Sequence, residues 1–389
     1  MKKYLLIAAA AVLSLAACSQ TDSFTPAKET EITFSVINHL QQTKATEGLT
    51  YPTGVPFGTL AWWTEDYWEN TENPQNFVFM DNEKILYKQL TDGGPYVWAP
   101  YSAYYWTKKG YITFASYSPY TTATDAGVDG FSEVPVYDVT KGFVFNAYTI
   151  VDDTDVDLMW GNLAENCQEN TNDVLDNQLT GSTDSGFTGV PTIFNHALCQ
   201  LNFAFRAIGR KNPNVSAIKI EITDVDILNI DKSGTFTQND EIRWASVHSE
   251  TADYDFTPEG TFELDLIENT ADNLSSTANY TSLGVSRILL PQSLVNTGDD
   301  IGETTDQLLT VSYTVKTKYE SAPDTWATEE ITSVVRLNNG TLTSWLDNRN
   351  ITYRISINPY STVPVTFDPA VVAWAEETSG DVNLNENDE

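Results

Sequence analysis

Ala197-Leu198-Cys199-Gln200-Leu201-Asn202-Phe203-Ala204-Phe205 puts Ala197, Cys199, Leu201, Phe203 and Phe205 on one side of an extended chain. Successive side chains of a strand point to opposite faces, so this run reads as a strand with one face committed to a core. The pattern recurs downstream. Ile218, Ile220 and Ile222 share a face, with Lys219 and Glu221 between them. Leu309, Val311, Tyr313 and Val315 alternate with Thr310, Ser312, Thr314 and Lys316, and Ile351, Tyr353, Ile355 and Ile357 with Thr352, Arg354 and Ser356. Turn signals separate such runs: Asp92-Gly93-Gly94, Lys232-Ser233-Gly234 and Asn338-Asn339-Gly340. No long segment sustains helical periodicity. The reading is an all-β fold of antiparallel sheets packed as sandwiches.

The composition narrows the function. Of 389 residues, 54 are Asp or Glu and 21 are Lys or Arg, a formal charge of −33. Such acidity argues against nucleic acid or an anionic membrane surface as partner, because phosphate binding needs a basic face. Hydrophobic residues at 41% and aromatics at 12% supply a core, so the chain is not globally disordered. Three His and three Cys leave little for metal or thiol chemistry, and no cofactor is expected. His39 lies in the leader segment ahead of residue 45, His248 in a polar turn region, and His196 on a strand, on the face opposite Ala197 and Cys199. Asp152, Asp153, Asp155 and Asp157 resemble the start of a calcium loop. Leu158 stands where that loop needs Gly and Ala164 where it needs Glu, so no metal is expected there. No nucleophile sits beside a base, and no catalytic residue is assigned.

The first residues set the compartment. Lys2 and Lys3 precede an apolar run from Tyr4 to Ala17, too short to span a bilayer comfortably, which reads as a secretory signal over residues 1–17. Its end, Leu15-Ala16-Ala17-Cys18, resembles a bacterial lipobox, which implies cleavage before Cys18 and acylation of its thiol, a lipid anchor without a spanning helix. Cys167 and Cys199 remain. A disulfide is permitted outside the cytoplasm, but the strand pattern around Cys199 favours a small buried hydrophobe.

Organisation follows from shifts in composition. Glu31-Ile32-Thr33-Phe34-Ser35-Val36 is a strand with Ile32, Phe34 and Val36 on one face, followed by a polar stretch containing Lys44. It is either the first strand of the first sheet or a detachable piece in front of a protease-accessible linker. Aromatic clusters come next: Trp62, Trp63 and Trp68, then Trp98, Tyr101, Tyr104, Tyr105 and Trp106. The polar stretch from Ala164 to Gly189 reads as a linker or long loop. The predicted segments are a signal (1–17), a leader (18–44), an N-terminal β-sandwich (45–188), a C-terminal β-sandwich (189–375) and an acidic tail (376–389) whose composition predicts disorder.

Four segments together resemble the fimbrillin family, lipoprotein pilins of type V pili. They are Tyr96-Val97-Trp98-Ala99-Pro100 with Tyr104-Tyr105-Trp106 and Ile112 to Pro119; Val156 to Trp160; Pro191 to Phe205; and Ile351 to Ile357. The resemblance implies two transthyretin-like β-sandwich domains and export to the outer membrane as a surface-exposed, lipid-anchored precursor. It further implies a protease that removes the leader strand, and other pilin subunits as partners that fill the opened groove by strand exchange, forming a fimbrium. Ile32, Phe34 and Val36 would be the leader strand, and Val363, Val365 and Phe367 a candidate donor strand. The cleavage position departs from the family's Arg: the nearest match is Lys44-Ala45-Thr46. Stalk, tip and anchor roles stay open. The implied role is adhesion or biofilm formation through a host or glycan receptor. The rival reading is a non-catalytic glycan-binding surface lipoprotein, whose mark would be three or more of the clustered rings aligned on one exposed face.

Overall fold

The computed structural model describes residues 30–38, 51–122, 130–151, 156–169, 189–210, 212–246, 250–298, 301, 305–361 and 365–374. In chain order the strands are β1 (Phe34–Asn38), β2 (Phe57–Thr64), β3 (Val78–Gln89), β4 (Tyr96–Pro100), β5 (Tyr111–Ser118), β6 (Val136–Asp138), β7 (Gly142–Thr149) and β8 (Met159–Gly161). There follow β9 (Ala164–Cys167), β10 (Val190–His196), β11 (Cys199–Gly209), β12 (Val215–Asp231), β13 (Ser233–Thr237), β14 (Trp244–Ser246), β15 (Thr251–Asp255) and β16 (Phe262–Glu268). The last are β17 (Thr281–Leu289), β18 (Gln292–Ser293), β19 (Leu308–Tyr319), β20 (Trp326–Arg336), β21 (Ser344–Trp345), β22 (Arg349–Ile357) and β23 (Val365–Ala373). One short helix, α1 (Ala271–Ser275), is capped by Thr270, whose hydroxyl accepts from the Asn273 amide at 3.2 Å. No helix among the described residues is long and apolar enough to cross a membrane.

The first sheet runs β2-β3-β4-β1-β10-β8-β5-β9, and β2 also pairs with β5. That extra pairing curls the sheet into a ring in which β1 is one stave, held between β4 and β10. Ile32, Phe34, Phe57, Ile85, Trp98, Phe114 and Phe194 fill its interior. Closure removes open sheet edges, and here it depends on one five-residue strand from the beginning of the described chain.

The second sheet runs β20-β19-β12-β16-β11-β22-β23, with β15 on β12 and β17 on β11. β16 joins its two halves: Phe262–Asp265 pair with β12, and Leu266–Glu268 pair with β11. The sequence alternation holds here. Ile220, Leu309, Val311, Ile351, Tyr353, Ile355 and Ile357 are fully buried in one core between the halves, as in a β-sandwich. Most pairs are antiparallel; β1–β10, β11–β16 and β11–β22 run parallel.

A four-stranded sheet, β14-β13-β7-β6, is shared by distant parts of the chain. β7 pairs with β13, and Phe145 stacks on Phe236 with centroids 5.2 Å apart. Two features differ from the sequence-based division. β10, placed after the boundary at 189, is a stave of the first ring, and the predicted linker at 164–189 begins with a strand, β9, whose Ala164 and Cys167 are buried. Alternation tells which face of a strand is apolar but not which strand it pairs with, and a four-residue strand carrying Glu165 and Asn166 is too polar to stand out.

Candidate functional site

β1 lies parallel to β10 with Phe34 opposite Val190, Val36 opposite Thr192 and Asn38 opposite Phe194. Its other side is held more sparsely. Phe34 pairs with Trp98, Glu31 bridges Tyr105, the Ile32 amide donates to the Tyr104 carbonyl at 2.8 Å, and the Trp106 amide donates to the Thr30 carbonyl at 3.1 Å. Ile32 and Phe34 are buried and Val36 is half-buried. The Phe34 ring meets Phe57 and Phe114 edge to face, each with centroids 5.6 Å apart. Side-chain burial therefore seats this strand at least as much as hydrogen bonding does.

Two residues that pattern reading did not single out complete the slot. Tyr51 packs 5.0 Å from Phe194 and 5.3 Å from Trp98, and its hydroxyl lies 2.6 Å from Ser118 Oγ. Burial pushes that phenol well above its ordinary range. Gly189 sits at φ +117°, and a Cβ there would come within 2.6 Å of the Thr33 carbonyl oxygen, which accepts from the Val190 amide at 2.7 Å. Only glycine allows that backbone conformation and that approach to β1. Nothing in the sequence marks it apart from other turn glycines.

The remaining sequence candidates fall elsewhere. Cys18, Lys44 and Val363 lie outside the described residues, as do His39, His248, Asp152, Asp153, Asp155 and the tail at 376–389. Val365 is buried in the core of the second sheet, where Phe367 packs 5.3 Å from the Tyr353 ring. The leader strand and the candidate donor strand thus belong to different sheets and different cores. His196 Nδ1 lies 2.7 Å from Asp157 Oδ2, and its ring stacks on Trp374 at 4.0 Å. Cys167 and Cys199 are free buried thiols, each pushed far up by burial and so inert as nucleophiles. Of the eight clustered rings, Trp62, Trp68 and Trp98 are buried, Trp63, Tyr104 and Trp106 are half-buried, and Tyr101 and Tyr105 are exposed, so these clusters do not form a three-ring exposed face.

Among the described residues, Asp224, Asp226 and Asp255 are the carboxylates close enough to share a cation, with ligand oxygens within 4.8 Å of one another. Their mutual effect is repulsive. Burial first, then Asp224, Asp255 and Asp253, pushes Asp226 up to about 6. A folded-state value raised above the unfolded one means that the folded protein gains a proton as pH falls through about 6, before the unfolded chain does. Asp226 therefore costs stability at pH 7, and the cost disappears as pH falls towards the unfolded value. Asp226→Asn is expected to raise stability at pH 7 by on the order of 1 kcal/mol, discounted for the solvent around a partly exposed group. The gain should be smaller at pH 5 and vanish only near the unfolded carboxylate value, at about pH 4; urea midpoints of both proteins at pH 4, 5 and 7 measure the difference.

These features define an all-β protein whose ring-shaped first sheet is completed by an N-terminal strand seated in an apolar slot. The model of the fimbrillin-like family matches residues 62–374, and the chain belongs to that family. Among solved structures, a fimbrial protein from Bacteroides vulgatus shares the fold with a TM-score of 0.56 at 16% identity, over 89% of this chain and 99% of its own. A candidate cell adhesion protein from Bacteroides uniformis gives a TM-score of 0.40 at 12% identity, over 89% and 99% of the two chains. One from Parabacteroides distasonis gives 0.43 at 12%, over 88% and 98%. No curated protein matches the chain.

Proposed function

We propose that the protein is a non-enzymatic fimbrial subunit that assembles by strand exchange, with β1 as a removable plug. It is exported as a lipoprotein, acylated at Cys18 and held at the outer membrane until its leader is cut, with Lys44 as the cleavage position. Fimbria built from it serve adhesion or biofilm formation. One observation carries the reading: β1 closes the first sheet between β4 and β10 while its Phe34, with Ile32 just ahead of the strand, fills the ring's interior. Loss of β1 leaves two raw strand edges and an apolar slot, which a strand from a sister subunit satisfies in backbone and side chains alike. Burial of two large apolar residues contributes roughly 1.5–3 kcal/mol each, enough to make refilling of the slot favourable. Val363, Val365 and Phe367 are the candidate donor. To serve, β23 must leave β22 and expose Tyr353, so donation is coupled to opening that edge.

Limited digestion of the purified precursor with a Lys-specific protease tests this. The expected result is release of an N-terminal peptide ending at Lys44, followed by oligomers that survive detergent. Cleavage at Lys44 that leaves a stable monomer would remove the plug role.

A further inference from the structure

The outer face of the second sheet carries a cavity of about 230 Å³ beneath α1, walled by β11, β22 and β23. In a chain with 54 acidic and 21 basic residues, two arginines line it and neither pairs with a carboxylate among the described residues. Arg206 is 7% exposed. Its Nε donates to Ser356 Oγ at 2.8 Å, and Nη1 donates to the Asn273 and Ser276 carbonyls at 2.9 and 3.2 Å. Nη2 donates to the Leu274 carbonyl at 3.3 Å, and the guanidinium lies 4.3 Å from the Tyr280 ring centroid. A buried guanidinium held only by neutral carbonyls, a hydroxyl and a ring face keeps its full positive charge uncompensated. Arg354 lies one step along the same face, since Ala204 pairs with Arg354 and Arg206 with Ser356. It makes no hydrogen bond or ion pair among the described residues, although Asp368 stands directly opposite on β23.

We propose that this cavity is an oxyanion-binding site, in which Arg354 and the remaining Nη2 hydrogen of Arg206 grip the anion. Ser356, Thr366 and Tyr280 supply hydroxyls around it. Guanidinium groups match the planar or tetrahedral geometry of carboxylate, sulfate and phosphate, and their bonds are strongest where solvent is excluded. The volume admits one sugar ring or a bare inorganic anion, so the shared chemistry is the oxyanion itself. Asp368 is the built-in competitor: its charge faces Arg354 and opposes a bound anion.

Calorimetric titration of the intact mature protein with sodium glucuronate, sodium sulfate and neutral glucose, in low-chloride buffer, tests this. Saturable binding of at least one anion is expected, with no binding of glucose. Arg354→Gln should weaken it about tenfold or more, and Asp368→Asn should tighten it several-fold. Arg354 ties no backbone group, so the first variant should keep the wild-type fold and melting curve. Glucuronate ahead of sulfate assigns an acidic sugar, and sulfate ahead of glucuronate assigns a free inorganic anion. The site is overturned if neither anion binds at tens of millimolar, if glucose binds as well as glucuronate, or if Arg354→Gln leaves the affinity unchanged.

Discussion

Phe34→Ala is expected to weaken the seating of β1 by about 3–5 kcal/mol, the range for truncating a fully buried phenylalanine in a core that cannot collapse around the gap. The ring is 3% exposed and wedged edge to face between Phe57 and Phe114. Those two belong to strands that pair with other partners, so they cannot follow the missing ring inward. The loss falls on a short element. β1 shares five register pairs with β10 but one with β4, and it leads into the polar stretch that contains Lys44. The variant should therefore open locally, with a hundredfold or greater rise in the open population at the lower end of that range. Hydrogen exchange at Ser35 and Val36 would report the opening, with protection in β11 and β12 unchanged. Val36→Ala, at a half-buried position, should cost much less. Equal protection of β1 in Phe34→Ala and in the parent protein would mean that the aromatic wedge does not hold the strand, and the plug would lose its energetic basis.

The contrast between Ile32, Phe34 and Val36 and the slot that receives them shows what the sequence made legible. Their alternation revealed an apolar face before any partner was known, because burial on one side imposes period two. The slot was not legible. Its walls come from β4 and β10, which are distant in sequence, and local pattern carries no pairing information. The same limit explains β10. Its residues are buried on both faces, so the compositional shift at Gly189 suggested a new unit where the chain in fact returns to the first ring. Arg206 is a subtler case. The sequence reading did not single it out: it follows Phe205 on the opposite face of β11, and the five-residue α1 that covers it is too short to show periodicity. By contrast, the apolar faces of β19 and β22 were read correctly at every named position, because a long strand in a one-sided core repeats its signal.

Trp374→Ala should cost about 3–5 kcal/mol and release the end of β23. Trp374 follows the last residue of that strand, is 6% exposed, and stacks on His196 with ring centroids 4.0 Å apart and planes 8° from parallel. His196 is the final residue of β10 and is itself fixed by Asp157 at 2.7 Å, so the indole joins the outermost strand of the second sheet to the ring of the first. The main chain adds one bond, from the Trp374 amide to the Asn348 carbonyl at 3.1 Å. That bond survives the substitution, so the measured loss isolates the ring. Among the described residues β23 pairs only with β22, and Val371 and Val372 are exposed, so the ring is the main side-chain anchor of this end. The loosening should appear as lost exchange protection at Val371 and Ala373, fading towards Val365, whose side chain stays in the core. Trp374→Phe keeps a stacking surface and should recover part of the stability. The variant also separates two roles for β23. If it is the strand donated to a neighbour, Trp374→Ala should speed oligomer formation after leader removal, because the step that frees β23 has become easier. Unchanged assembly in a variant whose β23 exchanges freely would assign β23 to the fold alone and require another segment as donor.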